Sequence, residues 1–295
     1  LKEPILPDFV IVGHITQDLL SDGSLGLGGT VSYAATTAHR MNYQVGVVTS
    51  TGPNLDVAEV LPFARIACQQ AAATTVFENI YLDGERKQIL HKRAGLLRCE
   101  HIPHAWRRAR IVHLGPLDQE IDEGIFHCFD DQVLIGVTPQ GFLRRWDNQG
   151  HVSFTEWTPP EAVLRRINVL VLSEQDVPDP EGLVRDWGRF IDIIVVTRAE
   201  RGATVYHSGE PCDYPARPAR QIDPTGAGDV FAAAFLIRLT ETDDPCQAAE
   251  FANAVASFSI EGPGVAGIPM RLQVEAYLDE RATKEVSRER AMSCP

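Results

Sequence analysis

No Gly-Lys pair occurs anywhere in the sequence. That excludes a P-loop of the Gly-x-x-x-x-Gly-Lys-Ser/Thr kind. A Gly-x-Ser-x-Gly elbow is also missing, which excludes the nucleophile turn of an α/β-hydrolase. No run approaches the ~20 apolar residues that a membrane helix needs. Leu1–Val12 lack the basic start, apolar core and small-residue cleavage site of a secretory leader, so the expectation is a cytoplasmic protein that meets no membrane. None of the six cysteines (Cys68, Cys99, Cys128, Cys212, Cys246, Cys294) falls in Cys-x-x-Cys spacing. They read as reduced thiols. Cys99, His101 and His104 lie close together but lack a suitably spaced fourth ligand, so they read as loop side chains. Basic residues are outnumbered, 27 against 40 acidic, giving a net charge of -13. A nucleic-acid partner would need a clustered basic face, and none is visible. An acidic chain can still bind phosphate locally, through backbone amides and a few cations.

Hydrophobic residues make up 44% of the 295 and charged residues 23%, the profile of a globular chain with a sizeable core. Near-continuous apolar runs at Asp8–Val12, Gln44–Thr49, Ile111–Leu114, Val133–Val137, Val169–Leu172 and Ile193–Thr197 predict buried parallel strands. Helical patterns lie between them at Val31–Met41, Gln119–Phe129, Pro160–Ile167 and Pro180–Phe190. Two more follow near Ala227–Leu239 and Pro245–Ile260. Strand alternating with helix implies an α/β fold around a mostly parallel sheet. One region breaks this rhythm: Thr74–Tyr81 and Lys87–His91 are strand-like and flank Asp83-Gly84, a hairpin signal. This hairpin is expected to stand off the main sheet and form a lid with part of Gly13–Leu27. The charged tail after Leu278 is expected to fray.

The most informative stretch is Asp223-Pro224-Thr225-Gly226-Ala227-Gly228-Asp229, followed by Val230-Phe231-Ala232-Ala233-Ala234-Phe235-Leu236. Glycines let a phosphate approach backbone amides, and the start of the helix supplies unpaired N–H groups and the positive end of its dipole. Asp229, an acid in the first turn, stands where a hydroxyl would lose its proton as phosphate arrives. A glycine-rich loop that merely caps a helix is the plainer alternative.

This run resembles the second signature of the PfkB, or ribokinase, family of sugar kinases. The resemblance implies a ribokinase-like three-layer sandwich, one domain over residues 1–295, with a β-sheet lid built from about 14–27 and 72–97. It implies ATP-dependent phosphoryl transfer with Mg²⁺. Asp229 would be the base, and the amides of Gly226, Ala227 and Gly228 would hold the transferring group. Gly13-His14-Ile15-Thr16-Gln17-Asp18 resembles the family's opening strand, with Asp18 as the substrate-binding aspartate, whose carboxylate suits two neighbouring hydroxyls. Gly28-Gly29 resembles the family's Gly-Gly turn, and Tyr33 replaces the usual asparagine after it. Ser173-Glu174-Gln175-Asp176 occupies the place of an Asn-x-x-Glu motif, so Glu174 and Asp176 would arrange Mg²⁺ through water. Thr197 and Gly202 carry over from a Thr-x-Gly-x-x-Gly motif near the nucleotide, where Ala199 departs from it. Thr225, Asn253 and Gly264 would also border the nucleotide, with Asp223 beside a monovalent cation such as K⁺. Gly262–Gly267 fits Gly-x-Gly-x-x-Gly by letter, but it follows a helix rather than a strand, so a dinucleotide reading is rejected. Lids of this family form dimer contacts, so the resemblance admits a homodimer.

Three local features are more similar to myo-inositol kinases than to ribokinase. They are Gly28-Gly29-Thr30-Val31-Ser32-Tyr33-Ala34, His113-Leu114-Gly115-Pro116 and Gln140-Gly141-Phe142-Leu143-Arg144-Arg145. Gln140 and Arg144 are the residues expected to face the acceptor, and the ring face of Tyr33 is expected to suit a cyclic polyol. Another sugar or nucleoside as acceptor, or a silent nucleotide-binding relative, stays open as the alternative.

Overall fold

A computed structural model describes residues 6–82, 85–208 and 210–292. In chain order its strands are β1 (Phe9–Val12), β2 (Thr16–Leu19), β3 (Leu25–Gly28), β4 (Val45–Thr51), β5 (Arg65–Gln70), β6 (Thr75–Leu82), β7 (Glu85–Lys92), β8 (Ile111–Leu114), β9 (Leu134–Val137), β10 (Arg144–Trp146), β11 (Val152–Phe154), β12 (Val169–Ser173), β13 (Ile193–Thr197), β14 (Ala203–His207) and β15 (Glu210–Tyr214). The helices are α1 (Thr30–Arg40), α2 (Val57–Val60), α3 (Glu161–Leu164), α4 (Pro180–Trp187), α5 (Ala227–Thr242), α6 (Pro245–Ser259) and α7 (Arg271–Met292).

Nine strands form one sheet in the order β15-β14-β13-β12-β9-β8-β1-β4-β5. It is parallel except for the antiparallel edge strands β14 and β15. Successive side chains of a strand point to opposite faces, and here both faces are covered. Phe9, Ile11, Val45, Val47, Val169 and Val171 pack beneath α1, α5 and α6. Their neighbours Val10, Val12, Val48, Leu170 and Leu172 pack against Phe126, Phe142, Val163 and Leu164 on the other side. The continuous apolar runs of the sequence therefore have a direct cause. Helix α5 is apolar nearly all round because its Val230–Ile237 stretch is buried throughout, as a helix in the core of a layered fold must be.

A second sheet, β3-β2-β6-β7, stands apart from the first. Its strands β6 and β7 pair antiparallel as the hairpin signal predicts, while the Asp83-Gly84 turn itself lies outside the described residues.

Several expectations need correction. No α-helix forms over Gln119–Phe129; only a 3-10 turn at Glu123–His127 does. Gln119 takes a positive φ of 60°, and the Glu120 carboxylate accepts the Leu117 and Asp118 amides, which holds a turn where a helix would begin. Pro160–Ile167 shortens to the four residues of α3. The tail after Leu278 is helical, as α7 continues to Met292. Cys99 and Cys128 are not free thiols but a disulfide, with Cα atoms 5.8 Å apart. Pairing of Leu97 with Ile121 draws the two segments together. Cys68, Cys212 and Cys246 are free, and Cys294 lies outside the described residues. Cysteine usage therefore no longer argues for a reducing compartment. Among the described residues no helix is long and apolar enough to cross a membrane.

Candidate active site

Chain segments leaving the C-terminal ends of β8, β9 and β12 come together near the start of α5, the edge at which open α/β sheets bind ligands. Gly226 is the N-cap of α5, with φ 74° and no side chain to cap the first-turn amides. Only glycine fits: a Cβ there would strike the Tyr33 ring, and the left-handed backbone disfavours any other residue. Gly228 is the opposite case. Nothing lies within 4 Å of the position its Cβ would take, so the helix start opens onto free space on that side. The Ala227 amide is already engaged by the Pro224 carbonyl at 3.2 Å.

Asp229 sits beside this opening. Burial is the main effect pushing its carboxyl up to about 6, and repulsion from Asp176 adds to it. A hydrogen bond from the Thr30 hydroxyl and the charge of Arg144 pull the other way. An acid tuned near neutrality can accept a proton from an alcohol. Thr30 is itself fixed, 2% exposed and pressed against Gly115, whose missing side chain makes its room. Sequence reasoning missed Thr30. Its signal was its place directly after Gly28-Gly29 at the start of a helix.

Toward the acceptor side, the Asp18 carboxylate fills the space that a Gly28 side chain would take, and the His14 carbonyl lies where a Gly29 Cβ would be. The two glycines thus let β2 and β3 close over α1. Tyr33 departs from expectation. It is 4% exposed, its ring lies against Gly226, and its hydroxyl faces Gly264, so the ring face is not open to a polyol. Burial and the charges of Asp223, Asp229 and Asp18 raise its pKa far above the ordinary phenol value. All three carboxylates therefore lie within electrostatic reach of the Tyr33 hydroxyl. The Gln140 amide donates to Asp176 Oδ1 at 3.2 Å, and the Ser173 amide to Asp176 Oδ2 at 2.8 Å. The structure thus brings Gln140, Asp176, Arg144 and Asp229 together.

The donor-side residues are less uniform. Glu174 is held by Arg198 at 3.1 Å and by Arg201, and these ion pairs depress its pKa. Glu174 is thus bound up in ion pairs with arginines, while Asp176 carries, among the described residues, only hydrogen bonds from Gln140 and the Ser173 amide and lies near enough to Asp229 to raise its pKa. Burial opposes the charge of Asp223, but hydrogen bonds from Thr225 and the Gly264 amide outweigh it and hold its pKa low. Asp223 therefore ties the Thr225 turn to the 262–267 loop, with Gly264 N at 2.8 Å. The Thr197 hydroxyl points back to the Leu172 carbonyl at 3.4 Å. Asn253 is 6% exposed and donates to the Tyr214 carbonyl at 2.9 Å. Gly202, with φ 94°, packs against that same carbonyl and the Ala216 amide. Asn253 and Gly202 thus shape the 214–216 segment.

A family profile described as pfkB family carbohydrate kinase matches residues 174–271. An inositol 3-kinase of Arabidopsis thaliana is 37% identical over 271 residues, 86% of this chain and 74% of that protein. A nucleoside kinase of Methanothermobacter thermautotrophicus is 36% identical over 259 residues, covering 80% and 79% of the two chains. The fold matches a solved structure described as a pyrophosphate-dependent kinase in the ribokinase family, complexed with a pyrophosphate analogue and myo-inositol. The TM-score is 0.77 at 23% identity, with 91% of this chain and 99% of that one covered.

Proposed function

Since the chain belongs to the pfkB family of carbohydrate kinases and is a phosphotransferase with an alcohol acceptor, we propose that it moves the γ-phosphoryl group of ATP onto a ring polyol, with myo-inositol the leading acceptor. The observation that carries this reading is Asp229, raised to about 6 beside the open edge at Gly228. Asp18 accepts hydrogen bonds from neighbouring acceptor hydroxyls, and the reacting hydroxyl faces Asp229 across the cluster around Tyr33. Asp229 takes the proton as the phosphoryl group arrives. First-turn amides and the dipole of α5 stabilise charge on the transferring oxygens. Arg144, near enough to lower the pKa of Asp229, adds positive charge on the same side. Mg²⁺, arranged through Asp176, would neutralise donor phosphate charge. The four-stranded sheet acts as a lid over the acceptor and limits transfer to water.

Myo-inositol is favoured over other acceptors by the 37% identity to an inositol 3-kinase. The nearly equal identity to a nucleoside kinase supports the second reading, a nucleoside acceptor. Pyrophosphate is the rival donor, suggested by the fold neighbour. A matrix of two donors (ATP, pyrophosphate) against myo-inositol, ribose, fructose, adenosine and cytidine tests all of these, with each phosphorylated product identified directly. The expected result is the highest kcat/KM for ATP with myo-inositol. Turnover confined to nucleosides, or to pyrophosphate, would replace that half of the proposal.

A further inference from the structure

Three of the four chain crossings between the two sheets meet one buried cluster of charge. These three are Gly13–Ile15, the segment ending at Thr75, and the segment Arg93–Gly95; the fourth runs through Gly29 into α1. His14 is fully buried. Its Nδ1 lies 3.1 Å from Asp118 Oδ1 and 2.8 Å from Thr75 Oγ1. Its Nε2 lies 2.8 Å from the Gly95 carbonyl. The Gly95 carbonyl only accepts, so Nε2 donates to it, and a second proton on Nδ1 would face Asp118 Oδ1, a buried oxygen with no hydrogen-bond partner of its own among the described residues. Burial opposes that charge, but Glu120 and Asp118 outweigh it and raise the His14 pKa. The nitrogen and carboxylate oxygens of His14, Asp118 and Glu120 lie within 4.8 Å of one another, but both ring nitrogens are already engaged, Nε2 by the Gly95 carbonyl and Nδ1 by Thr75.

The remaining contacts close the circuit. Arg93 Nε donates to Asp118 Oδ2 at 3.2 Å and its Nη2 to the Asp118 carbonyl at 2.6 Å. Its guanidinium stacks 4.3 Å from the Trp146 ring centroid. Glu120, 1% exposed, accepts the His14 amide at 3.0 Å as well as the amides of Leu117 and Asp118. Ala94 N donates to Thr75 Oγ1 at 3.0 Å. His14 and the half-exposed Arg93 thus face the buried Asp118, while burial and the neighbouring Asp118 charge push the Glu120 carboxyl up to about 7. The loop that carries Asp118 and Glu120 also carries Gly115, against Thr30. Its Gln119 side chain holds the Arg144 carbonyl at 2.5 Å. Thr30 and Arg144 are the two groups that stabilise charge on Asp229.

We propose that His14, Arg93, Asp118 and Glu120 form an ionic clamp at the root of the four-stranded sheet, which positions Asp18 relative to Asp229 and so sets acceptor binding and the coupling of donor cleavage to transfer. These are positioning residues. A buried hydrogen-bonded ion pair broken on one side leaves an uncompensated charge, and the root of the sheet is where that disturbance would tilt β2. The proposal rests on the reading of Asp18 as an acceptor ligand.

The test uses the full chain with Mg-ATP and whichever acceptor of the panel gives the highest kcat/KM. Asp118→Asn, His14→Gln and Arg93→Met are compared for acceptor KM, donor KM, kcat and the ratio of donor hydrolysed to acceptor phosphorylated. Asp118→Asn and His14→Gln are expected to raise acceptor KM about tenfold and increase uncoupled hydrolysis, with donor KM within about twofold. Arg93, 41% exposed along its side chain, is the conservative probe in case the buried variants fail to fold. Arg93→Met is expected to raise acceptor KM about threefold. An unchanged acceptor KM and coupling ratio in Arg93→Met, or donor and acceptor KM rising alike in all three, would overturn the clamp. Asp18→Ala in the same assay separates the two claims. If it leaves acceptor KM untouched, the reading of Asp18 fails. If it raises acceptor KM while the clamp variants do not, only the clamp fails.

Discussion

At the scale of single residues, Asp229 and Gly228 make opposite demands on function and stability. Asp229 must be ionised to accept a proton, and its pKa is raised to about 6. The acid limb of kcat/KM should therefore fall tenfold per pH unit below about 6 and level off above it. Asp229→Asn keeps the shape and the contact with Thr30 but removes the base. Turnover should drop by at least the ~10²-fold typical of lost general-base help, with donor affinity nearly unchanged. The residual activity should no longer show that limb. Near-normal turnover in folded Asp229→Asn protein would remove Asp229 from the mechanism. Gly228 occupies the first turn of a helix, where glycine costs about 0.5–1 kcal/mol relative to alanine. Its Cβ would meet nothing within 4 Å. Gly228→Ala should therefore raise the denaturation midpoint slightly while lowering kcat, because the added methyl stands where a phosphate must approach. An alanine variant that is less stable, or fully active, would show that the opening is not a binding surface.

At the scale of elements, α1 braces the donor-side loops. Tyr33 lies under Gly226, and Arg40 at the far end of the helix donates to the Ala266 carbonyl at 3.2 Å and to the Ile268 carbonyl. Arg40→Met keeps the apolar stem and loses both bonds. Partial exposure screens the charge, so the expected loss of stability is about 1 kcal/mol. The functional signature should be a several-fold higher donor KM with acceptor KM unchanged, read from initial rates at varied ATP. The reverse pattern would place α1 on the acceptor side only. This bracing also marks where the sequence stopped being legible. Parallel strands were readable because both faces are buried and the runs are continuously apolar. The Asp223–Asp229 turn was readable because small residues and a helix start coincide at fixed spacing. Tyr33 was legible as a departure, yet its packing under a loop almost 200 positions away depends on tertiary contact that no local pattern encodes. Glu174 looked like a metal-arranging acid, but Arg198 and Arg201, 24 and 27 residues on, claim it. The turn at Leu117–Glu120 hid behind a helical pattern because side-chain capture of backbone amides leaves no periodic trace.

At the scale of the whole molecule, the distribution of charge argues about which acceptor can enter. A net charge of -13 repels an anionic acceptor at long range, so a sugar phosphate would need a local cationic nest. Arg93 is paired with Asp118 and stacked on Trp146. Lys87, Lys92 and Arg145 are exposed, and Arg145 reaches only the Ser153 hydroxyl at 3.4 Å. Arg144 lies close enough to Asp229 to lower its pKa, and on the proposed reading it would serve the transferring phosphoryl group rather than a distal phosphate on the acceptor. On the proposed reading, the Asp18 carboxylate would favour hydroxyls over a second anion. The expected outcome is therefore an unphosphorylated acceptor: at equal concentration, myo-inositol should outpace fructose 6-phosphate by at least tenfold. Raising ionic strength should narrow the gap by screening the repulsion. Asp18→Ala should reduce kcat/KM for the preferred acceptor by roughly tenfold or more, since hydrogen bonds to a charged group contribute about 1.5–3 kcal/mol each. The same change should leave fructose 6-phosphate no worse. Preference for fructose 6-phosphate in the unaltered protein, with Asp18→Ala indifferent, would mean that the acceptor end of the site binds a phosphate after all, and that the exposed lysines of β7 turn inward when it does.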